Sequence, residues 1–121
     1  MARILVVDDD HALRGAIARY LRTLGHHVDE APDGRHAIAA IRESAVDLVL
    51  TDVNMPDMDG IEVLKAVKDH DRDVPVIVIS GGGVIPSQIL LGNAHLLGAY
   101  ATLDKPFDLD ELRAAVESAL A

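Results

Sequence analysis

Cysteine and tryptophan are absent from this 121-residue sequence, and its only aromatic residues are Tyr20, Tyr100 and Phe107. Without cysteine there can be neither a disulfide framework nor a thiolate metal site. With so few rings, a core must come from Val, Ile, Leu and Ala, and half of the residues are apolar. Positive charge is scarce as well: 11 Lys and Arg against 20 Asp and Glu give a formal charge of −9. Sequence-independent binding to DNA or RNA needs a basic surface, so nucleic acid is not an expected partner. No apolar run approaches the ~18 residues that mark a membrane span. The opening MARILVVDDD enters a strand pattern at once and lacks the layout of a signal peptide. The expectation is an acidic, soluble, cytoplasmic protein with residues 1–121 as one domain. Met1 stands directly before the first strand pattern and no linker follows the last helix, so a natural stand-alone domain is expected.

What is present is a regular alternation of strand and helix patterns. Ile4-Leu5-Val6-Val7 is a continuous β-rich run, and Leu13, Ile17, Leu21 and Leu24 then recur at helical spacing until Gly25. Residues 27–31 form a more polar strand pattern, suited to a sheet edge. Asp33-Gly34 leads into a helix carrying Ala37, Ile38 and Ile41. A third strand over 46–51 runs into TDVNMPDMDG, followed by a helix over about 61–69 with Val63, Leu64 and Val67. Residues 76–79 make a fourth strand. After SGGGVIPS, a helix carrying Ile89, Leu90, Leu96 and Leu97 leads to a fifth strand near 100–103. FDLDELRAAVESALA closes the chain as a helix that Asp108 or Asp110 can cap. Continuous apolar strands joined by helices predict a doubly wound α/β fold, a five-stranded parallel sheet covered on both faces. Such sheets carry their sites beyond the carboxyl ends of the strands.

Four of those strand ends bear polar groups. Asp8-Asp9-Asp10 follows the first strand, Asp52 the third, Ser80 the fourth, and Asp104-Lys105-Pro106 the fifth; the second ends in Ala31-Pro32. This distribution fits the strand order 2-1-3-4-5, in which carboxylates from the first and third strands meet. Their repulsion would raise at least one pKa, and a hard divalent cation would relieve it. Mg²⁺ suits the set, since it prefers oxygen ligands and commonly takes one or two carboxylates plus a phosphate. The Ser80 hydroxyl and Lys105 ammonium can hold phosphoryl oxygens. Together these groups point to phosphoryl transfer onto an aspartate. Asp10 can also cap the first helix, while Asp57 and Asp59 read as turn and helix-start residues. The six histidines are scattered and take no metal or catalytic role.

In order and spacing, ILVVDDD, DLVLTDVNMPDMDG, PVIVIS and LDKPFDLDEL resemble the landmarks of response-regulator receiver domains of two-component signalling. The resemblance covers essentially the whole chain and implies the flavodoxin-like receiver fold. Carried over by motif position, it implies that Asp52 accepts a phosphoryl group. Asp9 and Asp52 would ligate Mg²⁺ directly, Asp8 through water, and Asn54 by its backbone carbonyl. Ser80 takes the switch-hydroxyl position and Lys105 contacts the phosphoryl oxygens, with the Lys105–Pro106 bond expected to be cis. The implied donor is a sensor histidine kinase or a histidine phosphotransfer protein. A downstream protein would dock on the face formed by the fourth helix, the fifth strand and the last helix.

Two features depart from the family pattern. Thr102 stands three residues before Lys105, where an aromatic is usual, and Tyr100 is the candidate substitute on the same nominal strand face. The stretch SGGGVIPSQILLGNAHLLGA is longer than the usual link and contains three successive glycines, which are permissive in backbone angle. Displacement of Ser80 is therefore expected to be taken up in residues 81–98. Two other functions remain beside the phosphoacceptor. A haloacid-dehalogenase-type Mg²⁺-dependent phosphohydrolase would need a second aspartate where Asn54 stands. A degenerate receiver serving as a constitutive adaptor would not need the full acceptor set. The expected protein is a phosphoacceptor rather than an enzyme with an external substrate.

Overall fold

Parallel pairing of β1 (Arg3–Val7), β2 (His27–Ala31), β3 (Leu48–Asp52), β4 (Val76–Ser80) and β5 (Ala101–Asp104) builds one sheet in the order β2-β1-β3-β4-β5. The computed structural model describes residues 2–53, 60–80 and 98–121. The order is the predicted one, with the polar β2 at an edge.

Side chains of a strand alternate between faces, so a strand covered on both sides must be apolar throughout. All five residues of β3 and of β4 are buried, as are four of five in β1. Leu5, Val7, Val49, Val76 and Val78 join Ala37, Ile41, Val63, Leu64 and Val67 in one core. Those partners lie on α2 (Gly34–Glu43) and α3 (Gly60–His70). The alternate residues Ile4, Val6, Leu48, Leu50, Ile77 and Ile79 pack with Ile17, Ala18, Leu21, Leu112 and Val116 in a second core. The latter belong to α1 (His11–Thr23) and the C-terminal helix (Leu109–Leu120). Each aliphatic side chain buried in this way contributes about 1.5–3 kcal/mol of transfer free energy, so the sheet centre is a rigid platform.

Aspartates open three of the helices. Asp10, Asp33 and Asp108 accept hydrogen bonds from the backbone N–H of Leu13, His36 and Glu111, satisfying groups left unpaired in a first turn. Between the two candidates for the last cap, Asp108 takes the role and Asp110 lies in the first turn. Gly25 follows α1 with φ 95°, a left-handed conformation that lets the chain turn sharply towards β2. Two boundaries differ from expectation. Strand β3 covers 48–52 rather than 46–51, because Asp47 uses its side chain as well as its backbone to bond the backbone of Arg3. Strand β5 begins at Ala101 rather than Tyr100 and includes Asp104. The predicted helix with Ile89, Leu90, Leu96 and Leu97 lies outside the described residues, as do Gly81, Gly82 and Gly83. Among the described residues, no helix is long and apolar enough to cross a membrane.

Candidate functional site at the carboxyl edge of the sheet

The strand register explains how distant residues converge. Val7 pairs with Thr51, Asp52 with Ile79, and Ser80 with Asp104. Asp8, one residue past Val7, therefore comes beside Asp52, while Ser80 and Lys105 project one residue past the other two pairings. Carboxylate oxygens of Asp8, Asp9 and Asp52 all lie within 4.8 Å of one another. Asp8 and Asp52 are buried, and Asp9 is exposed.

Each buried acid is held differently. Asp8 donates its N–H to the carbonyl of Ala31 at 3.1 Å, and its Oδ1 accepts the N–H of Asp10 at 2.8 Å. Its Oδ2 is buried without a hydrogen-bond donor and lies 3.8 Å from Nζ of Lys105. The Oδ2 of Asp52 accepts a hydrogen bond from the same ammonium at 3.2 Å. Burial is the chief reason that the Asp8 carboxyl is pushed up to about 6, and the charges of Asp52 and Asp9 push it the same way. The Asp10 N–H and Lys105 oppose that rise. The expected carboxylate conflict thus falls on Asp8.

Ser80 is buried at the end of β4, and its carbonyl accepts the N–H of Lys105 at 2.7 Å. The hydroxyl-bearing residue and the ammonium-bearing residue are thereby linked through the backbone. The Lys105–Pro106 bond is cis, as expected. Thr102 is half-buried opposite Val78, whereas Tyr100 is not gathered into the pocket. Ser80 pairs with Asp104, four residues further on, so Tyr100 lies about 13 Å away along the strand direction. Its hydroxyl bonds instead to Ser118 of the C-terminal helix, 3.1 Å from the carbonyl oxygen and 2.7 Å from Oγ. Asn54, Asp57 and Asp59 lie outside the described residues.

Two contributors to the site were not singled out from the sequence. Gly60 opens α3 with its N–H bonded to the carbonyl of Val53 at 3.0 Å. A Cβ there would overlap the carbonyl oxygen of Asp52 and sit 2.9 Å from Val53 Cα, so the helix can start against the Asp52 backbone only with glycine. Arg14 is the other, a buried guanidinium bonded to the carbonyl of Asp8. A cavity of about 500 Å³ is at the opposite end of the sheet beside Ala2, His26 and Asp47, away from this chemistry.

Residues 4–117 match the family model of the response regulator receiver domain. The chain belongs to the response regulator receiver family. It is 35% identical over 118 residues to Sporulation initiation phosphotransferase F of Bacillus subtilis (strain 168), covering 98% of this chain and 93% of that one. It is 40% identical to Transcriptional regulatory protein ZraR of Escherichia coli (strain K12), covering 98% of this chain but only 26% of that longer protein. Among solved structures, this receiver domain is similar to one from Clostridium thermocellum, with a TM-score of 0.92 at 28% identity, covering 99% of this chain and 94% of the other. The receiver domain of NtrX from Brucella abortus gives 0.89 at 36% identity, covering 97% of each chain. Receiver domains are signalling phosphoacceptors of two-component systems rather than classical enzymes, and the acidic cluster here is compatible with metal binding.

Proposed function

We propose that this receiver domain takes a phosphoryl group onto Asp52 from a phosphohistidine on a sensor kinase or phosphotransfer protein. The observation that carries the reading is Asp52 itself, a buried carboxylate at the end of a core strand, 3.2 Å from the Lys105 ammonium. In the transfer, an Asp52 carboxylate oxygen attacks phosphorus. The P–O bond forms as the P–N bond breaks, and the electron pair stays on the imidazole nitrogen. Water later attacks the phosphorus, releasing inorganic phosphate and restoring the carboxylate. Lys105 balances charge on the phosphoryl oxygens, and the Ser80 hydroxyl offers them a hydrogen bond.

The residues fit a magnesium ion. Three carboxylates supply hard oxygen donors within 4.8 Å, and the buried Oδ2 of Asp8 lacks a hydrogen-bond donor. Asp9 and Asp52 would hold it directly and Asp8 through water, with the Asn54 carbonyl as a further ligand. When bound, Mg²⁺ would neutralise the carboxylates and the incoming phosphoryl oxygens.

Residues 1–121 would act as a single-domain regulator that signals through a partner or relays the phosphoryl group onward. The likeness to a protein named as a phosphotransferase, over nearly the full length of both chains, supports relay. The downstream partner would use the surface of β5, the C-terminal helix and the helix expected before β5. Ser80 would be the switch hydroxyl, with Thr102 marking the place of the usual aromatic. A cytoplasmic setting goes with a donor charged by ATP-dependent kinases. The family match removes the ground for a phosphohydrolase, and the gathered acceptor residues count against a degenerate adaptor. Incubation with a phosphohistidine donor and Mg²⁺ should label the wild type and leave Asp52→Asn unlabelled. Labelling of that variant at the native rate would refute the assignment.

A further inference from the structure

Arg14 is a helix residue whose side chain is withdrawn from solvent, at 8% residue exposure. Arginine is rarely buried unless its charge is paired and its donors are satisfied. Here the guanidinium is shared among three elements. Nε donates to Glu30 Oε1 on β2 at 3.2 Å, and Nη2 lies 2.8 Å from Nδ1 of His11 at the start of α1. Nη1 donates to the carbonyl oxygen of Asp8 at 2.8 Å. Pairing with Glu30 alone could have been met by a cation at the surface. The bond to Asp8 could not, because that carbonyl belongs to the peptide unit joining Asp8 to Asp9.

The Asp8 backbone is consequently tied on both sides, its N–H by Ala31 on β2 and its C=O by Arg14. The Asp8–Asp9 peptide carries two of the three clustered carboxylates, which repel one another and Asp52. A flexible connection would let the acids swing apart. We infer that Arg14 is a positioning residue for the acid pocket: through the Asp8 carbonyl it holds Asp8 and Asp9 facing Asp52, and Glu30 holds Arg14 in place. The inference rests on reading the cluster as the cation site of a phosphoacceptor. It asks Arg14 to act on metal affinity through the backbone, without touching the ion.

The test is calorimetric titration of Mg²⁺ into wild type, Arg14→Met, Arg14→Lys, Glu30→Gln and the Arg14→Met/Glu30→Gln double variant. Thermal unfolding without metal is followed in parallel by circular dichroism, and titrations are made where each protein is fully folded. Arg14→Met should bind Mg²⁺ about 10-fold more weakly or worse, the range seen when groups that orient metal ligands are removed. Arg14→Lys keeps the charge but lacks the fork that reaches Asp8 and Glu30 together, so it should recover only part of that loss. Glu30→Gln should weaken binding by a smaller factor, and the double variant should bind no more weakly than Arg14→Met. If Arg14→Met does not fold, Arg14→Lys and Glu30→Gln carry the same test. Wild-type affinity in the folded Arg14 variants, whatever their thermal stability, would make Arg14 structural only and overturn the inference. A wild type that binds no Mg²⁺ would instead overturn the reading of the pocket, and the inference with it.

Discussion

Lys105 and Asp52 form an ion pair at the carboxyl edge of the sheet, Nζ to Oδ2 at 3.2 Å. The same ammonium lies 3.8 Å from Asp8, so one cation offsets two buried carboxylates. It therefore opposes a second cation that would use the same acids. Lys105→Met should tighten Mg²⁺ binding several-fold by calorimetry while slowing phosphorylation, because the charge facing the phosphoryl oxygens is lost. Weaker Mg²⁺ binding in this variant would mean that the ammonium orders the pocket more than it competes with the ion.

Asp8 has a pH signature. Its carboxyl is raised from 3.8 to about 6 in the folded protein, so the folded state holds the proton more tightly than the unfolded one. The resulting stabilisation is fully present below 3.8 and is lost as pH rises through about 6. At pH 7 without metal, the ionised side chain costs on the order of 1–3 kcal/mol. Asp8→Asn should be more stable than wild type by that amount in urea unfolding at pH 7. The gap should close in acid, and saturating Mg²⁺ should narrow it. A constant gap across the pH range would assign the effect to something other than this charge.

Gly60 sets the position of Asp52 from behind. Because a Cβ would strike the Asp52 carbonyl, Gly60→Ala must move either the strand end or the start of α3. Overpacking of this kind costs about 1–3 kcal/mol. Phosphorylation should also slow at temperatures where the variant is fully folded, since the nucleophile itself is displaced. A native rate in a destabilised variant would limit Gly60 to a folding role.

Gly15 presents the opposite case. It lies inside α1, and nothing stands within 4 Å of a Cβ added there. Glycine in a helix interior costs roughly 0.5–1 kcal/mol relative to alanine. Gly15→Ala should raise stability by that amount in urea unfolding. Destabilisation would reveal a steric constraint within the folded chain.

Asp8, Asp52, Ser80 and Lys105 were readable from the sequence because each stands at the end of a strand pattern. A parallel sheet brings all such ends to one edge, and the one strand lacking a polar end fits the edge place that β2 takes in the 2-1-3-4-5 order. Arg14 was not readable. At its spacing between Leu13 and Ile17 an arginine looks like ordinary helix charge, and only the packing of α1 on β1 puts the Asp8 carbonyl 2.8 Å from it. Gly60 reads as a turn residue, while its real constraint is the approach of α3 to the Asp52 backbone. Tyr100 shows the limit of face parity. Alternation places it on the Thr102 side, but β5 starts after it and the hydroxyl meets Ser118. Parity gives a direction, whereas the partner depends on which element covers that face.

Phosphorylation is expected at Asp52. Borohydride reduces an acyl phosphate to an alcohol and leaves free carboxylates intact, so it marks the acceptor covalently. The decisive measurement is peptide mass spectrometry of protein phosphorylated with acetyl phosphate and Mg²⁺ and then reduced with borohydride. The reduced side chain should be found at residue 52 alone, and omission of Mg²⁺ should abolish most of it. Reduction at Asp8 or Asp9 with Asp52 unmodified, or no reduction at any aspartate, would contradict phosphoryl transfer to Asp52.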